Sequence, residues 1–261
     1  MNIDEKLKDA KIGYTVGESG FIEGRPSLVM IHGAGGSSQI WRGQTTFLDE
    51  DLNVLALDLP GHGETDGQGY ASISEYTRWL GEILKTSFDH PVFLMGHSMG
   101  GAIVQETAIH YPEMLEGIIL VSTGPRLKVA PMFLDGLLNN FDRTIDDVMA
   151  YAYGPKTSKL IVEEGGRMMK ETGSKVVYND FLACDEFDNG EGLIHINLPC
   201  LILCGSLDKL TPPKLSKALN EGIKGSILRI VPDAGHIVMI ERHTELNESV
   251  RAFVLAGHRN L

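Results

Sequence analysis

The sequence predicts an α/β protein with a mostly parallel sheet flanked by helices on both faces. Three observations carry this reading. Short Val-, Ile- and Leu-rich runs lack polar alternation, helix-like stretches separate them, and glycine-rich or polar segments punctuate both. Unbroken apolar runs mark strands buried on both faces. Their alternation with helices gives a doubly covered parallel sheet.

The strand runs lie at 27–32, 52–58, 91–95, 117–122, 199–204 and 226–231, and the helical stretches at 38–48, 72–88, 98–111, 213–221 and 241–253. A weaker hairpin pattern over 11–16 and 21–23, with a turn at 17–20, predicts antiparallel strands at one edge. The helix at 72 opens on a capping box, Ser72 with Glu75, ahead of Tyr76, Trp79, Leu80 and Ile83. Pro112 closes the helix that begins near 98.

One interval breaks the alternation. Residues 124–197 are too many for a connection inside a compact domain, and they contain helical pieces at 132–141, 145–153, 158–172 and 176–184. We read them as a helical cap inserted between two parts of one core, 1–123 and 198–261. The 261-residue length suits a single large core.

A net charge of −12 disfavours nucleic acid and anionic lipid, both of which reward Lys/Arg clusters. No apolar stretch approaches the ~20 residues of a membrane span, so no stable membrane association is expected. The first residues alternate in charge and show no secretory signal. Of three cysteines, Cys200 and Cys204 fall in a strand run and read as reduced core residues, which suits a cytoplasmic location. The histidines match no metal-ligand spacing, so neither a metal nor a cofactor is expected.

The chemistry-bearing signal is Gly96-His97-Ser98-Met99-Gly100, directly after a strand run. It reads as a nucleophile elbow, in which a tight strand-to-helix turn lifts the Ser98 hydroxyl clear of the backbone. A serine needs a base within hydrogen-bond reach, oriented by a third group. His236, after the strand run ending at 231, is the best base, whereas His97 faces the opposite side of the strand end. Asp208, after the run ending at 204, is the best acid; Asp233 lies within one turn of His236 and reads as a turn cap. The backbone N–H groups of Ala34, in His32-Gly33-Ala34-Gly35-Gly36, and of Met99 are the expected oxyanion donors.

Together with Asp58-Leu59-Pro60-Gly61-His62-Gly63, these segments resemble the α/β-hydrolase fold over nearly the whole chain, in that family's order of serine, acid and histidine. The resemblance implies eight central strands, mostly parallel, a cap over the site, and Ser98, Asp208 and His236 as triad. Serine at the elbow separates the chain from the dehalogenases and epoxide hydrolases of this fold, which carry aspartate there. It is similar to capped carboxylesterases acting on small-molecule esters of short to medium acyl chains.

For the substrate pocket we name Gly33, Trp41, Met132, Phe133, Leu137, Phe181, Leu210 and Ile237. A C–C bond hydrolase or a lactonase would use the same triad; the former would also want cationic cap groups, for which Arg126, Arg143 and Arg167 are available. A ligand receptor with a hydrolase shell is the non-enzymatic alternative. A homo-oligomer is compatible with the sequence.

Overall fold

The computed structural model describes residues 3–258. In chain order, the elements begin with α1 (Ile3–Asp9), β1 (Tyr14–Val16), β2 (Ser27–Ile31), α2 (Arg42–Leu48), β3 (Asn53–Leu57), α3 (Ile73–Ser87), β4 (Val92–His97), α4 (Met99–His110) and β5 (Leu115–Val121). The helical insertion follows as α5 (Pro131–Asn139), α6 (Phe141–Ala152), α7 (Lys159–Thr172) and α8 (Ser174–Glu186). The core then resumes with β6 (Cys200–Gly205), α9 (Pro213–Gly222), β7 (Ile227–Val231), α10 (Val238–Glu241) and α11 (His243–His258).

The sheet has the order β1-β3-β2-β4-β5-β6-β7, with β1 antiparallel to β3 and every other pair parallel. Alternate side chains of β2 go to opposite faces: Val29 and Ile31 join a core with α3, α4 and α9, while Leu28 and Met30 join one with α2 and α11. Both faces are therefore dry, which is why the strand runs lack alternation.

Four expectations are corrected. Among the described residues the sheet has seven strands, not eight. The N-terminal hairpin does not form: Tyr14–Val16 pairs with β3, while 21–23 is not a strand. The last strand, β7, is an edge whose Ile227 is 50% exposed, because no further strand covers it. The capping box also differs in detail, since Ser72 Oγ donates to the Glu75 carboxylate at 2.8 Å rather than accepting a backbone N–H. No helix among the described residues is long and apolar enough to cross a membrane.

Candidate active site

The chain enters the parallel sheet at β2, steps outward to β3, then returns to β4 on the other side of β2. Loops leaving β2 and β4 consequently diverge and open a crevice at the carboxyl ends of the strands, where ligands bind in open α/β sheets. The first loop is His32–Gly36 and the second begins at Ser98.

Ser98 has φ 53° and ψ −115°, a conformation that L-residues avoid. Its neighbours hold it there. A Cβ on Gly96 would stand 2.2 Å from the Gly100 carbonyl oxygen, and one on Gly100 would stand 2.5 Å from the carbonyls of Ile31 and His32. Only glycine lets the strand, the helix and the backbone of the loop after β2 meet so closely. The Ser98 N–H donates to Val121 O at 3.0 Å, and Thr123 Oγ1 donates to Ser98 O at 2.8 Å. Met99 opens α4, in the turn whose N–H groups lack intrahelical partners.

Asp208 follows β6 and is buried. Its carboxylate accepts from the N–H groups of Leu210 at 3.0 Å and Thr211 at 2.8 Å, from Thr211 Oγ1 at 2.8 Å, and from His236 Nδ1 at 2.9 Å. Burial pushes this carboxyl up, but His236 and the converging hydrogen bonds outweigh it and hold it below its ordinary value. With Nδ1 donating to Asp208, the basic nitrogen of a neutral His236 ring is Nε2. The two loops are pressed together at Gly205, where a Cβ would lie 2.1 Å from Gly235 O. The N–H of His236 donates to Ala152 O, at the end of α6, at 2.7 Å.

The two rival residues have other partners. Asp233 is paired with Lys156 at 3.0 Å. His97 does not face away from the site as expected: it lines the first cavity with Ser98, its Nε2 donates to His236 O at 3.1 Å, and the centroids of the two rings are 4.6 Å apart. Burial, followed by the nearby His236, holds His97 well below its ordinary pKa. It is a neutral brace for the histidine loop.

Two cavities meet at Ser98, sharing Ala34, Phe181, Leu210 and His236. One runs along the His32–Gly36 loop beneath Val148, Met149 and Met169; the other runs past Leu127, Met132 and Phe133. Gly33 and Ile237 line the first, Met132 and Phe133 the second, and Phe181 and Leu210 both. Trp41 and Leu137 line neither. Trp41 is fully buried in the core beneath the sheet, and Leu137 is buried against α6 and the rest of that cluster, so neither ring nor chain remains for a ligand.

Residues 28–249 match the alpha/beta hydrolase family. The chain belongs to that family. Pimeloyl acyl-carrier-protein methyl ester esterases of Pectobacterium carotovorum and Serratia marcescens are 26% and 27% identical to it. The alignments span 89% and 90% of this chain and 96% of each relative. A thermophilic esterase structure is 30% identical with TM-score 0.83, covering 94% of both chains. An enol-lactonase from Burkholderia xenovorans, 21% identical with TM-score 0.85 over 94% of this chain and 96% of its own, shares the fold.

In this alpha/beta hydrolase the arginines of the insertion do not line either cavity. Arg126 pairs with Asp188, and Arg167 with Glu164 and Glu171, at the surface. A buried polar cluster that the sequence motifs do not mark, formed by Asp180, His62 and Tyr76, lies beside the His32–Gly36 loop. A signal for it existed: Asp180 falls on the buried stripe of α8 with Val176, Val177, Ala183 and Cys184, where a lone carboxylate is costly unless paired. His32 near this cluster is neutral. Its Nε2 accepts from Leu59 N–H while Nδ1 donates to Gly33 O, and burial followed by repulsion from His62 lowers its pKa to about 3.

Proposed function

We propose that this protein hydrolyses carboxylic esters of short to medium acyl chains through an acyl-enzyme on Ser98. The observation that carries this reading is a strained serine at the fork of two largely apolar cavities that His236 also lines, with His236 held by a buried Asp208. In the first step Ser98 Oγ attacks the ester carbon while His236 Nε2 takes its proton. Asp208 holds the Nδ1–H tautomer and stabilises the imidazolium without accepting the proton. The N–H groups of Ala34 and Met99 receive the oxyanion. Collapse of the intermediate releases the alcohol, protonated by His236. Water, deprotonated by the same nitrogen, then attacks the acyl-enzyme, releases the acid and restores Ser98.

The esterase names of the methyl ester esterase relatives and of the 30% identical structure support ester chemistry. The arginines that C–C bond cleavage would call on lie outside both cavities, which favours the ester reading. The test is a series of p-nitrophenyl esters, from acetate to laurate, on wild type and Ser98→Ala. Turnover that peaks at short or medium chains and vanishes in the variant is expected. No turnover with any ester by folded wild type defeats the reading. A fluorophosphonate that still labelled Ser98 in that case would leave a reactive serine serving another acyl chemistry.

A further inference from the structure

Gly36 N–H donates to Gly33 O at 3.1 Å, closing a tight turn with Ala34 and Gly35 at its corners. Gly35 has φ +62°, as the second corner of a type II turn requires. The Ala34–Gly35 peptide is the central plane of this turn, and the helical insertion grips both sides of Gly35. Asp180 Oδ2, from α8, accepts the Gly35 N–H at 2.8 Å. Thr172 Oγ1, at the end of α7, donates to Gly35 O at 2.9 Å. A Cβ on Gly35 would meet Met169 Cγ at 2.7 Å and Val177 Cγ2 at 3.1 Å, so α7 and α8 are seated directly on the turn.

Asp180 is itself held rigidly. Its side chain and that of His62 are 0% exposed. His62 Nε2 donates to Oδ2 at 2.8 Å, and Tyr76 OH donates to Oδ1 at 2.6 Å. His62 Nδ1 lies 3.1 Å from Pro60 O, so both ring nitrogens face acceptors and the ring is an imidazolium beside the carboxylate. The carboxylate therefore has a counter-ion and fixed donors, and among the described residues its hydrogen bond to the His32–Gly36 loop is to the Gly35 N–H. Asp180 lines neither cavity.

We propose that Asp180 is a positioning residue for the reaction at Ser98: from the insertion it fixes the turn that presents the Ala34 N–H to the developing oxyanion. Without it the Gly35 N–H loses its buried acceptor and the turn loses its anchor to α8, so the adjoining Gly33–Ala34 peptide, which carries the oxyanion donor, is no longer held in place. The inference rests on the ester reading for the role of Ala34. It makes α7 and α8 part of the catalytic framework, so that the oxyanion hole is complete only while they are seated.

The test compares wild type, Asp180→Ala, Asp180→Asn and Thr172→Val on p-nitrophenyl butyrate, with fluorophosphonate labelling of Ser98 as a parallel readout. Loss of an oxyanion donor costs about 10²–10³ in kcat, and the Asp180→Ala variant is expected in that range. Its KM should stay within about threefold, because the donor acts on the transition state. Asp180→Asn keeps an oxygen for the Gly35 N–H and should recover most of the loss, while Thr172→Val should lower kcat several-fold without moving KM. Labelling, whose tetrahedral adduct uses the same donors, should slow in parallel. Wild-type kcat and labelling rates in folded Asp180→Ala overturn the proposal, as does a loss expressed in KM alone. If Asp180→Ala does not fold, an unchanged kcat in Thr172→Val, which removes the other side of the same grip on Gly35, overturns it equally. Labelling needs only a reactive Ser98, so wild type that labels but turns over no ester refutes the ester reading while leaving the Asp180 comparison legible.

Discussion

The parallel sheet and the helical insertion contribute to the site in opposite ways. Each proposed reacting group comes from the core: Ser98 after β4, Asp208 after β6, His236 after β7 and the Ala34 turn after β2. The insertion supplies none of them, yet it holds two of the loops that carry them. Asp180 and Thr172 grip Gly35, and Ala152 O receives the His236 N–H. The core grips back through Glu241, which accepts from Gly154 N–H and Thr157 Oγ1 of the insertion and from Gly235 N–H beside His236. Strand ends bring groups to one edge, while the backbone directions needed at that edge are set by what presses on the loops from outside.

The sharpest break between the two regions lies in removing core groups. Ser98→Ala should reduce kcat by about six orders of magnitude with the fold intact, as losses of a triad nucleophile do. Asp208→Asn should cost about 10⁴ in kcat through the wrong His236 tautomer. A rate near wild type in ester assays of Asp208→Asn would show that another carboxylate orients the ring.

Glu241→Ala tests the region boundary itself. Three donors lose their shared acceptor, so urea unfolding should show a loss of about 1–3 kcal/mol. Turnover should fall alongside, since the histidine loop loses its anchor at Gly235. Unchanged stability and rate would mean that Glu241 anchors neither the insertion nor the histidine loop.

The smallest effect is a pH dependence of the His62–Asp180 pair beside the loop after β2. Burial pushes His62 down, but Asp180 outweighs it and the ring lies above its ordinary pKa of 6.5. The neighbours facing it are Asp180, the Tyr76 hydroxyl that bonds the same carboxylate, and the neutral His32 ring at 4.8 Å. A raised folded pKa gives stability that is complete below 6.5 and lost as pH rises through the folded value. Asp208 has the reverse sign, since its lowered pKa gives stability present above 3.8 and lost as pH falls through its folded value. His62→Asn should therefore flatten the alkaline side of the urea-midpoint profile and leave the acid side alone. An unaltered alkaline slope would remove His62 as its source.

Much of this molecule is legible along the chain. The helices of the insertion, at 131–139, 141–152, 159–172 and 174–186, lie close to the pieces read from local pattern. Ser98, Asp208 and His236 sit just past strands read from apolar runs, with glycines whose absent side chains are explained by backbone contacts of the elbow and of Gly205. Local pattern failed where packing decides. Trp41 beside the oxyanion loop resembles a pocket residue, yet its ring is taken by the core. Leu137 carries the right chemistry on the right helix but faces inward.

By itself the sequence determined the strand and helix order and the tight strand-to-helix turn at Ser98, because each depends on residues within a turn or a run of one another; the order of serine, acid and histidine it offered only through a family resemblance. Tertiary structure alone decided the hydrogen bonds that tie the insertion to Gly35 in the loop after β2. Asp180 is separated by 145 residues from Gly35, by 118 from His62 and by 104 from Tyr76. A lone aspartate on an apolar helix stripe announces that it must be satisfied, since burying an unpaired charge is prohibitive. Which donors satisfy it depends on where the closed chain places them.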